Sequence, residues 1–216
     1  MTPTLLLDLD GTLVDTIPDL LSSLNRMMAV RGLPDFVAAE VRGMIGDGAA
    51  VLMRRAMASR GRVATTADLT DLLADYTAHV ADGSCLFPDV EPTLRALAAS
   101  GWRLAVCTNK PVVPARDLLA SLGVLDLFAA VGGGDSYRTR KPDPQHLLST
   151  LADAGGHVSA AVMVGDHHND MHAATGAKIP CVFAAWGYGD DPAGAVATAG
   201  SFPEAAEIAK RLIPGD

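Results

Sequence analysis

The chain has 216 residues, of which 49% are hydrophobic and 19% are charged, and its formal net charge is −8. This apolar fraction is typical of folded globular proteins and argues against intrinsic disorder or a fibrous repeat. The acidic balance argues against electrostatic binding to nucleic acid, because phosphate backbones repel an anionic protein. A small anionic substrate stays compatible with the charge, since a local site can oppose the global field.

The cysteines and the N-terminus indicate where such a chain would reside. Cys85, Cys107 and Cys181 are widely separated and form no CxxC motif. This pattern argues against a disulfide framework or a zinc knuckle and favours a reducing, cytoplasmic location. Asp8 and Asp10 interrupt the first apolar run, and no basic segment precedes it, so we expect no signal peptide. No run approaches about 18 apolar residues, so we expect no membrane span.

Apolar runs and helical patterns alternate along most of the chain. Short apolar runs predict buried strands at residues 4–7, 103–107, 129–131, 161–164 and 181–185. Amphipathic patterns predict helices at residues 90–100, 111–122, 145–154 and 202–212. Strands that alternate with helices in this way predict an α/β fold, a Rossmann-like core with a parallel sheet. The Ala/Gly-rich residues 192–200 are predicted to form a loop.

Residues 15–81 differ from the rest of the chain. They have helical periodicity and no convincing strand, and the βα alternation resumes after Gly83 and Pro88. We therefore predict a helical cap at residues 15–81, inserted into an α/β core formed by residues 1–14 and 82–216. The alternative is one continuous α/β domain with extra helices.

Polar side chains directly follow three of the predicted strands. Asp8 and Asp10 follow the first strand, Thr108 follows the second, and Asp166 follows the strand at residues 161–164. Ligands of open parallel sheets bind beyond the carboxyl ends of the strands, so we expect these side chains to converge on one crevice. Lys141 lies in a loop that opens a helix, from which it could reach the same crevice.

These residue types point to phosphoryl chemistry. Carboxylates with few nitrogen or sulfur donors nearby suit Mg²⁺ better than zinc. A hydroxyl, the backbone amides at Gly11 and a lysine suit a phosphoryl group. One carboxylate could attack phosphorus to give an aspartyl-phosphate, and a second could protonate the leaving alcohol and later deprotonate water. A metal would neutralise charge during both steps.

The order of the motifs resembles a known family. The segment DLDGTLVD at residues 8–15 resembles the DxDGT signature of the haloacid dehalogenase-like hydrolase superfamily. Thr108 and Lys141 match the residues of its second and third motifs, and GDHHND at 165–170 matches the GDxxxD of the fourth. Within the superfamily, the stretches IGDGA at 45–49, TNKP at 108–111, GGD at 133–135 and KP at 141–142 are most similar to phosphoglycolate phosphatases.

The resemblance implies a Mg²⁺-dependent phosphomonoester hydrolase that acts on 2-phosphoglycolate through an aspartyl-phosphate. It makes Asp8 the nucleophile and a metal ligand. It makes Asp10 the general acid/base, with its backbone carbonyl on the metal, and Asp166 the third protein ligand. Asp170 is expected to orient the site, holding Lys141.

The resemblance also assigns the residues that bind substrate. Gly11, Thr108, Asn109 and Lys141 would bind the transferring phosphate, and Thr108 and Lys141 count among the catalytic residues. A substrate carboxylate needs a cationic partner. The cap offers Arg42, Arg54 and Arg55, of which Arg55 is our candidate, although a solvated surface position is the plainer interpretation of any one of them.

Several alternatives stay open on the sequence. His167 stands where the family often has Ser or Thr, and His168 with His172 has the i, i+4 spacing of zinc ligands on a helix. The substrate could be a sugar phosphate, a nucleotide or pyrophosphate, or the enzyme could be a phosphomutase. A non-enzymatic phosphoaspartate switch is a third possibility. We expect a small phosphorylated metabolite as partner, with no nucleic acid and no membrane, and a monomer or homodimer.

Overall fold

A computed structural model describes residues 1–213 and confirms the predicted α/β class with a parallel sheet. Its strands are β1 (Thr4–Leu7), β2 (Val14–Asp15), β3 (Cys85–Leu86), β4 (Arg103–Cys107), β5 (Phe128–Gly132), β6 (Ala161–Gly165), β7 (Cys181–Ala184) and β8 (Ala197–Ala199). Its helices are α1 (Ile17–Val30), α2 (Ala38–Arg42), α3 (Ala49–Ser59), α4 (Thr66–Ala78), α5 (Val90–Ala99), α6 (Val112–Ser121), α7 (Pro144–Asp153), α8 (His168–Ala177) and α9 (Phe202–Leu212). Six strands form one parallel sheet in the order β5-β4-β1-β6-β7-β8.

Strand β1 lies in the middle of this sheet and is buried on both faces. Leu5 and Leu7 pack into the hydrophobic cluster that contains residues of α5, α6 and α9, whereas Leu6 packs on the opposite face against residues of α7 and α8. A strand covered on both faces has a continuous apolar sequence rather than an alternating one. This burial explains why the first strand could be predicted from three consecutive leucines.

The edge of the sheet corrects one prediction. Residues 192–200 were predicted to form a loop, but Ala197–Ala199 form β8, which pairs in parallel with β7. Alanine has a low intrinsic preference for strands, so the local sequence carried little signal. Tertiary packing stabilises this strand instead, because Ala199 is completely buried in the cluster that also contains α9 residues such as Phe202.

A second, two-stranded ribbon was not predicted. Val14 pairs with Leu86 and Asp15 with Cys85 in antiparallel register. Two residues per strand are too few to show a period in the sequence. The ribbon joins the chain just before α1 to the chain just after α4, so it brings the two ends of the helical segment together.

Helices α1 to α4 have a hydrophobic cluster of their own. Its buried members come only from this helical segment: Leu20, Leu24, Met27, Met28, Phe36, Val41, Met44, Leu52, Met53, Ala56, Met57, Leu72 and Tyr76. An inserted unit that lies beside the sheet, and not against one of its faces, needs a hydrophobic cluster of its own. The exact boundaries of a cap stay a prediction.

Two features bear on the predicted location. Cys85, Cys107 and Cys181 are all free thiols. Among residues 1–213, no helix is both long enough and apolar enough to cross a bilayer.

A buried carboxylate ties the return segment to α1. Asp19 Oδ1 accepts a hydrogen bond from the Gly83 amide at 2.7 Å. Its Oδ2 accepts from the Ser84 amide at 3.0 Å and from the Ser84 hydroxyl at 2.5 Å. Asp19 is only 3% exposed, so these charge-assisted bonds replace its hydration.

We expect Asp19→Asn to lower the free energy of unfolding by about 1–3 kcal/mol, because the amide would face three donors with one acceptor oxygen. Urea-induced unfolding followed by circular dichroism measures the change. The matched control is Asp35→Asn, which alters an exposed aspartate on the same helical segment. Equal stability of the two variants would contradict the role given to Asp19.

Candidate active site

The carboxyl ends of β1, β4 and β6 form the crevice that the sequence predicted. In the sheet, β4 lies on one side of β1 and β6 lies on the other. The order of the strands therefore reverses direction at β1, and α/β sheets bind ligands at such a switch point. Asp8, Asp10 and Thr108 line one cavity at this edge. Lys141 and Asp166 lie beside Asp8, so the structure brings these five predicted residues together.

Asp8 is held from two directions. Its Oδ1 accepts a hydrogen bond from the Leu9 amide at 2.8 Å and lies 2.8 Å from Lys141 Nζ. Burial raises the pKa of Asp8 to about 6, against the opposing charge of Lys141. The carboxyl group is therefore mainly ionised at neutral pH and fixed in orientation, as a nucleophile at a strand end needs to be.

Lys141 is shared between two carboxylates. Its ammonium also donates to Asp170 Oδ1 at 2.6 Å, and both side chains of this pair are at most 1% exposed. Burial disfavours the charged lysine, but Asp170 and Asp8 outweigh that cost and hold its pKa above the usual range. Lys141 thus remains a cation in a site where water is excluded.

Asp166 is oriented by a hydroxyl and a backbone amide. Its Oδ1 accepts from Thr12 Oγ1 at 2.8 Å, and its Oδ2 accepts from the Tyr188 amide at 2.8 Å. Burial, with further contributions from Asp8 and Asp170, raises the pKa of Asp166 to about 7. The side chain is therefore fixed, but its charge is not matched by a protein cation.

Gly11 lies against this carboxylate. A Cβ at Gly11 would stand 2.4 Å from Asp166 Oδ2, and the residue has a φ of +84°, which side chains disfavour. Its amide donates to Val14 O at 3.0 Å within the turn that follows β1. The glycine is explained by this close approach, and its predicted contact with phosphate stays a prediction.

Three buried carboxylates form a group of the size that a metal ion requires. Asp8, Asp166 and Asp170 each offer an oxygen, and these oxygens lie within 4.8 Å of one another. Lys141 supplies one positive charge against three negative ones. A hard divalent cation suits both the all-oxygen donors and the excess negative charge. The carboxylate of Asp10 is directed elsewhere, so its predicted ligation through the backbone carbonyl stays a prediction.

Thr108 and Asn109 follow β4 and line the same cavity as Asp8 and Asp10. Thr108 is buried, and its hydroxyl accepts from the Lys110 amide at 3.2 Å. Asn109 Nδ2 donates to Gly46 O and to Lys141 O, both at 3.0 Å. Asn109 therefore links the helical segment to the Lys141 loop, and direct contact of either residue with phosphate stays a prediction.

Lys110 is a site residue for which the sequence analysis predicted no role. Its ammonium lies 3.1 Å from Asp10 Oδ1 and 4.2 Å from the centre of the Tyr76 ring. Burial disfavours its charge, but Asp10 outweighs that cost and holds the pKa of Lys110 above the usual range. Its place directly after Thr108 and Asn109 was an available signal. Tyr76 offered none, because only the tertiary fold brings α4 to this cavity.

Arg55 lies in a different environment from the one predicted. Its guanidinium pairs with Asp47 at 2.6 Å and donates to Met44 O at 3.1 Å. Asp47 in turn accepts from Asn169 Nδ2 at 2.8 Å. Arg55 thus braces the turn that contacts the core, and its binding to substrate stays a prediction.

His167 packs against this same turn. A Cβ at Gly46 would stand 2.4 Å from His167 Cδ2. Burial and the neighbouring His168 lower the pKa of His167 to about 4, so the imidazole is neutral. His167, His168 and Asp47 offer ligand atoms within 4.8 Å of one another, but Asp47 already pairs with Arg55. We assign no metal to this group.

Fold and site together define an α/β protein with an open parallel sheet and an aspartate at the end of its central strand, paired with a buried lysine. The family model of the haloacid dehalogenase-like hydrolases matches residues 5–184. The chain belongs to this family, as its motifs predicted.

The relatives of the chain within this family are phosphatases. It is 41% identical over 196 residues to a phosphoglycolate phosphatase of Agrobacterium fabrum, covering 89% of this chain and 84% of the relative. It is 38% identical over 216 residues to one of Rhodospirillum rubrum, covering 96% and 90%. The crystal structure of a predicted phosphoglycolate phosphatase from Haemophilus somnus superimposes with a TM-score of 0.86 at 30% identity, covering 96% and 97%. These similarities confirm the predicted resemblance and the predicted enzyme class, a phosphatase.

We expect Gly46→Ala to lower kcat/KM by roughly tenfold or more, because the added Cβ would collide with His167 at a φ of +111°. Steady-state phosphate release measures the effect. Gly43→Ala is the matched control, since its nearest neighbour would lie 3.8 Å away.

Combining Gly46→Ala with His167→Ala removes the collision but not the backbone strain, so we expect partial recovery. Gly46→Ala activity equal to that of Gly43→Ala would show that this contact has no part in turnover.

Proposed function

We propose that this phosphatase is a Mg²⁺-dependent phosphomonoesterase that hydrolyses 2-phosphoglycolate through an aspartyl-phosphate on Asp8. The observation that carries the proposal is the arrangement at the end of β1. Asp8 lies 2.8 Å from Lys141 Nζ, and its carboxylate stands among those of Asp166 and Asp170 at the edge of a cavity.

The proposed reaction has two displacements at phosphorus. Asp8 attacks the phosphoryl group, a new carboxyl O–P bond forms and the ester O–P bond breaks. Asp10, which is in its protonated form for this step, gives its proton to the departing alkoxide and becomes a carboxylate. Asp10 then takes a proton from water, which attacks the aspartyl-phosphate, releases inorganic phosphate and restores the Asp8 carboxylate.

The metal would be held by the carboxylates of Asp8 and Asp166 and by the backbone carbonyl of Asp10. When bound, it offsets the charge of the phosphoryl oxygens and of the carboxylates around them. Thr12 and the Tyr188 amide keep Asp166 in position for this role. Asp170 contributes mainly by fixing Lys141, whose ammonium lies 2.6 Å from its Oδ1.

We propose that residues 15–81 act as a cap over the crevice. Contacts across its edge support this assignment: Asn109 donates to Gly46 O, and Arg42 donates to Gly187 O at 3.2 Å. Closure would exclude bulk water from the aspartyl-phosphate until a water molecule is positioned by Asp10, and opening would admit substrate and release product.

The choice of 2-phosphoglycolate rests on the names of the relatives in Agrobacterium fabrum and Rhodospirillum rubrum. It is consistent with a cavity that offers both a phosphoryl site and a further buried cation, Lys110. We infer a reducing, cytoplasmic setting from the free thiols, of which Cys107 and Cys181 are buried. A monomer or homodimer stays a prediction.

A substrate panel tests the proposal. We expect phosphate release from 2-phosphoglycolate to exceed release from sugar phosphates, nucleotides and pyrophosphate, and to stop when EDTA removes the metal. Added Mg²⁺ should restore it, because the carboxylate group would otherwise carry uncompensated charge. A preference for another ester would refute the substrate, and full activity in EDTA would refute the metal requirement.

Asp8→Asn should lower kcat at least about 10³-fold, because the amide cannot form the covalent intermediate. Asp10→Asn should also slow turnover severely but leave the metal affinity close to that of the wild type. Phosphate release and mass spectrometry of rapidly quenched protein follow both variants, with Asp35→Asn as the exposed control. Turnover by Asp8→Asn close to the wild-type rate would rule out the covalent route.

A further inference from the structure

Lys110 is placed to meet a second anionic group of a substrate. It is only 7% exposed, and it lines the same cavity as Asp8 and Thr108. Among the described residues that line this cavity, it is the sole cation. Its present partner, Asp10, lies 3.1 Å from its ammonium, so Lys110 lies beside the residue proposed to protonate the leaving alkoxide.

Tyr76 supplies a donor beside this cation. The side chain is 3% exposed, and among residues 1–213 its hydroxyl has only a weak contact with Lys110 in place of a well-formed hydrogen bond. Buried hydroxyls nearly always have a partner, and those that lack one call for an explanation such as a ligand. The centre of the ring lies 4.2 Å from Lys110 Nζ. The helical segment, through Tyr76, and the core, through Lys110, therefore line the same part of the cavity.

The walls around this pair are apolar. Leu20, Leu52, Leu72 and Pro114 line the same cavity. An ammonium in such surroundings interacts with a carboxylate much more strongly than a surface cation does, because little water screens the charges. Arg55, the cap cation that the sequence predicts to bind the substrate carboxylate, has a side chain that is 42% exposed and pairs with Asp47.

We propose that Lys110 and Tyr76 form a carboxylate-binding subsite that makes the enzyme specific for esters with a carboxylate close to the phosphate. The inference rests on the proposed function and extends it from the phosphoryl group to the other end of the substrate. The Lys110 ammonium pairs with the substrate carboxylate, and the Tyr76 hydroxyl donates to it. Because Lys110 also contacts Asp10, a bound carboxylate lies next to the group that protonates the leaving oxygen.

The test compares 2-phosphoglycolate with its uncharged amide, 2-phosphoglycolamide, which has nearly the same shape. For Lys110→Met we expect kcat/KM on 2-phosphoglycolate to fall by about 10- to 100-fold beyond any fall on the amide, mainly through a higher KM. Lys110→Arg should recover part of the loss, because it keeps the charge. Lys210→Met, an exposed lysine on α9, is the matched control and should change neither substrate.

Tyr76→Phe provides a second, milder variant that keeps the ring and its packing. We expect a loss of about 3- to 10-fold on 2-phosphoglycolate and little change on the amide, since only a hydrogen bond to the carboxylate is removed. This variant remains informative if Lys110→Met folds poorly, which circular dichroism would reveal.

The outcomes separate the subsite from the reaction. Equal losses on both esters in Lys110→Met and in Tyr76→Phe, or wild-type hydrolysis of the amide as fast as that of the acid, would overturn the subsite and leave the phosphatase standing. Failure of the wild-type enzyme to hydrolyse either ester would overturn the proposed substrate, and this inference with it.

Discussion

The repulsion among three buried carboxylates at the end of β1 is the constraint on which the rest of the site depends. Asp8, Asp166 and Asp170 are at most 6% exposed, and Lys141 pairs with two of them, Asp8 and Asp170. Such a group is stable only where every oxygen is fixed by donors or by a cation. The amides of Leu9 and Tyr188 and the hydroxyl of Thr12 serve that need, and Gly11 leaves the space that the Asp166 carboxylate occupies.

The helical segment reaches this acidic group through backbone atoms and amide side chains. Gly46 O accepts from Asn109 at 3.0 Å and from Asn169 at 3.3 Å, so the loop after β4 and the first turn of α8 both bind one carbonyl of the helical segment. Asn109 also donates to Lys141 O. The helical segment and the loop that carries Lys141 are therefore linked through the side chain of Asn109.

The sequence predicted what depends on strand burial and on chain order. Consecutive apolar residues revealed β1, and the polar residues after β1, β4 and β6 revealed the crevice, because parallel strands end at one edge. It did not reveal β8, whose alanines gain their strand conformation from packing, nor the pairing of Lys110 with Tyr76. That pair joins residues of α4 and of the β4 edge, and periodicity reports on contacts within an element rather than between elements.

A net charge of −8 looks unfavourable for an enzyme of anionic substrates. What matters for a small substrate is where the charged groups lie, not how many of each sign the chain has. Exposed acidic groups act through water and salt, which weaken their effect beyond about 8 Å. Lys110 and Lys141 are at most 7% exposed and act at short range with little screening. Each pairs with a carboxylate, Asp10 for Lys110 and Asp170 for Lys141, that keeps it charged. Two buried cations at short range, together with the divalent cation proposed above, therefore offset the buried carboxylates for a small anion, while the acidic exterior limits attraction of larger polyanions.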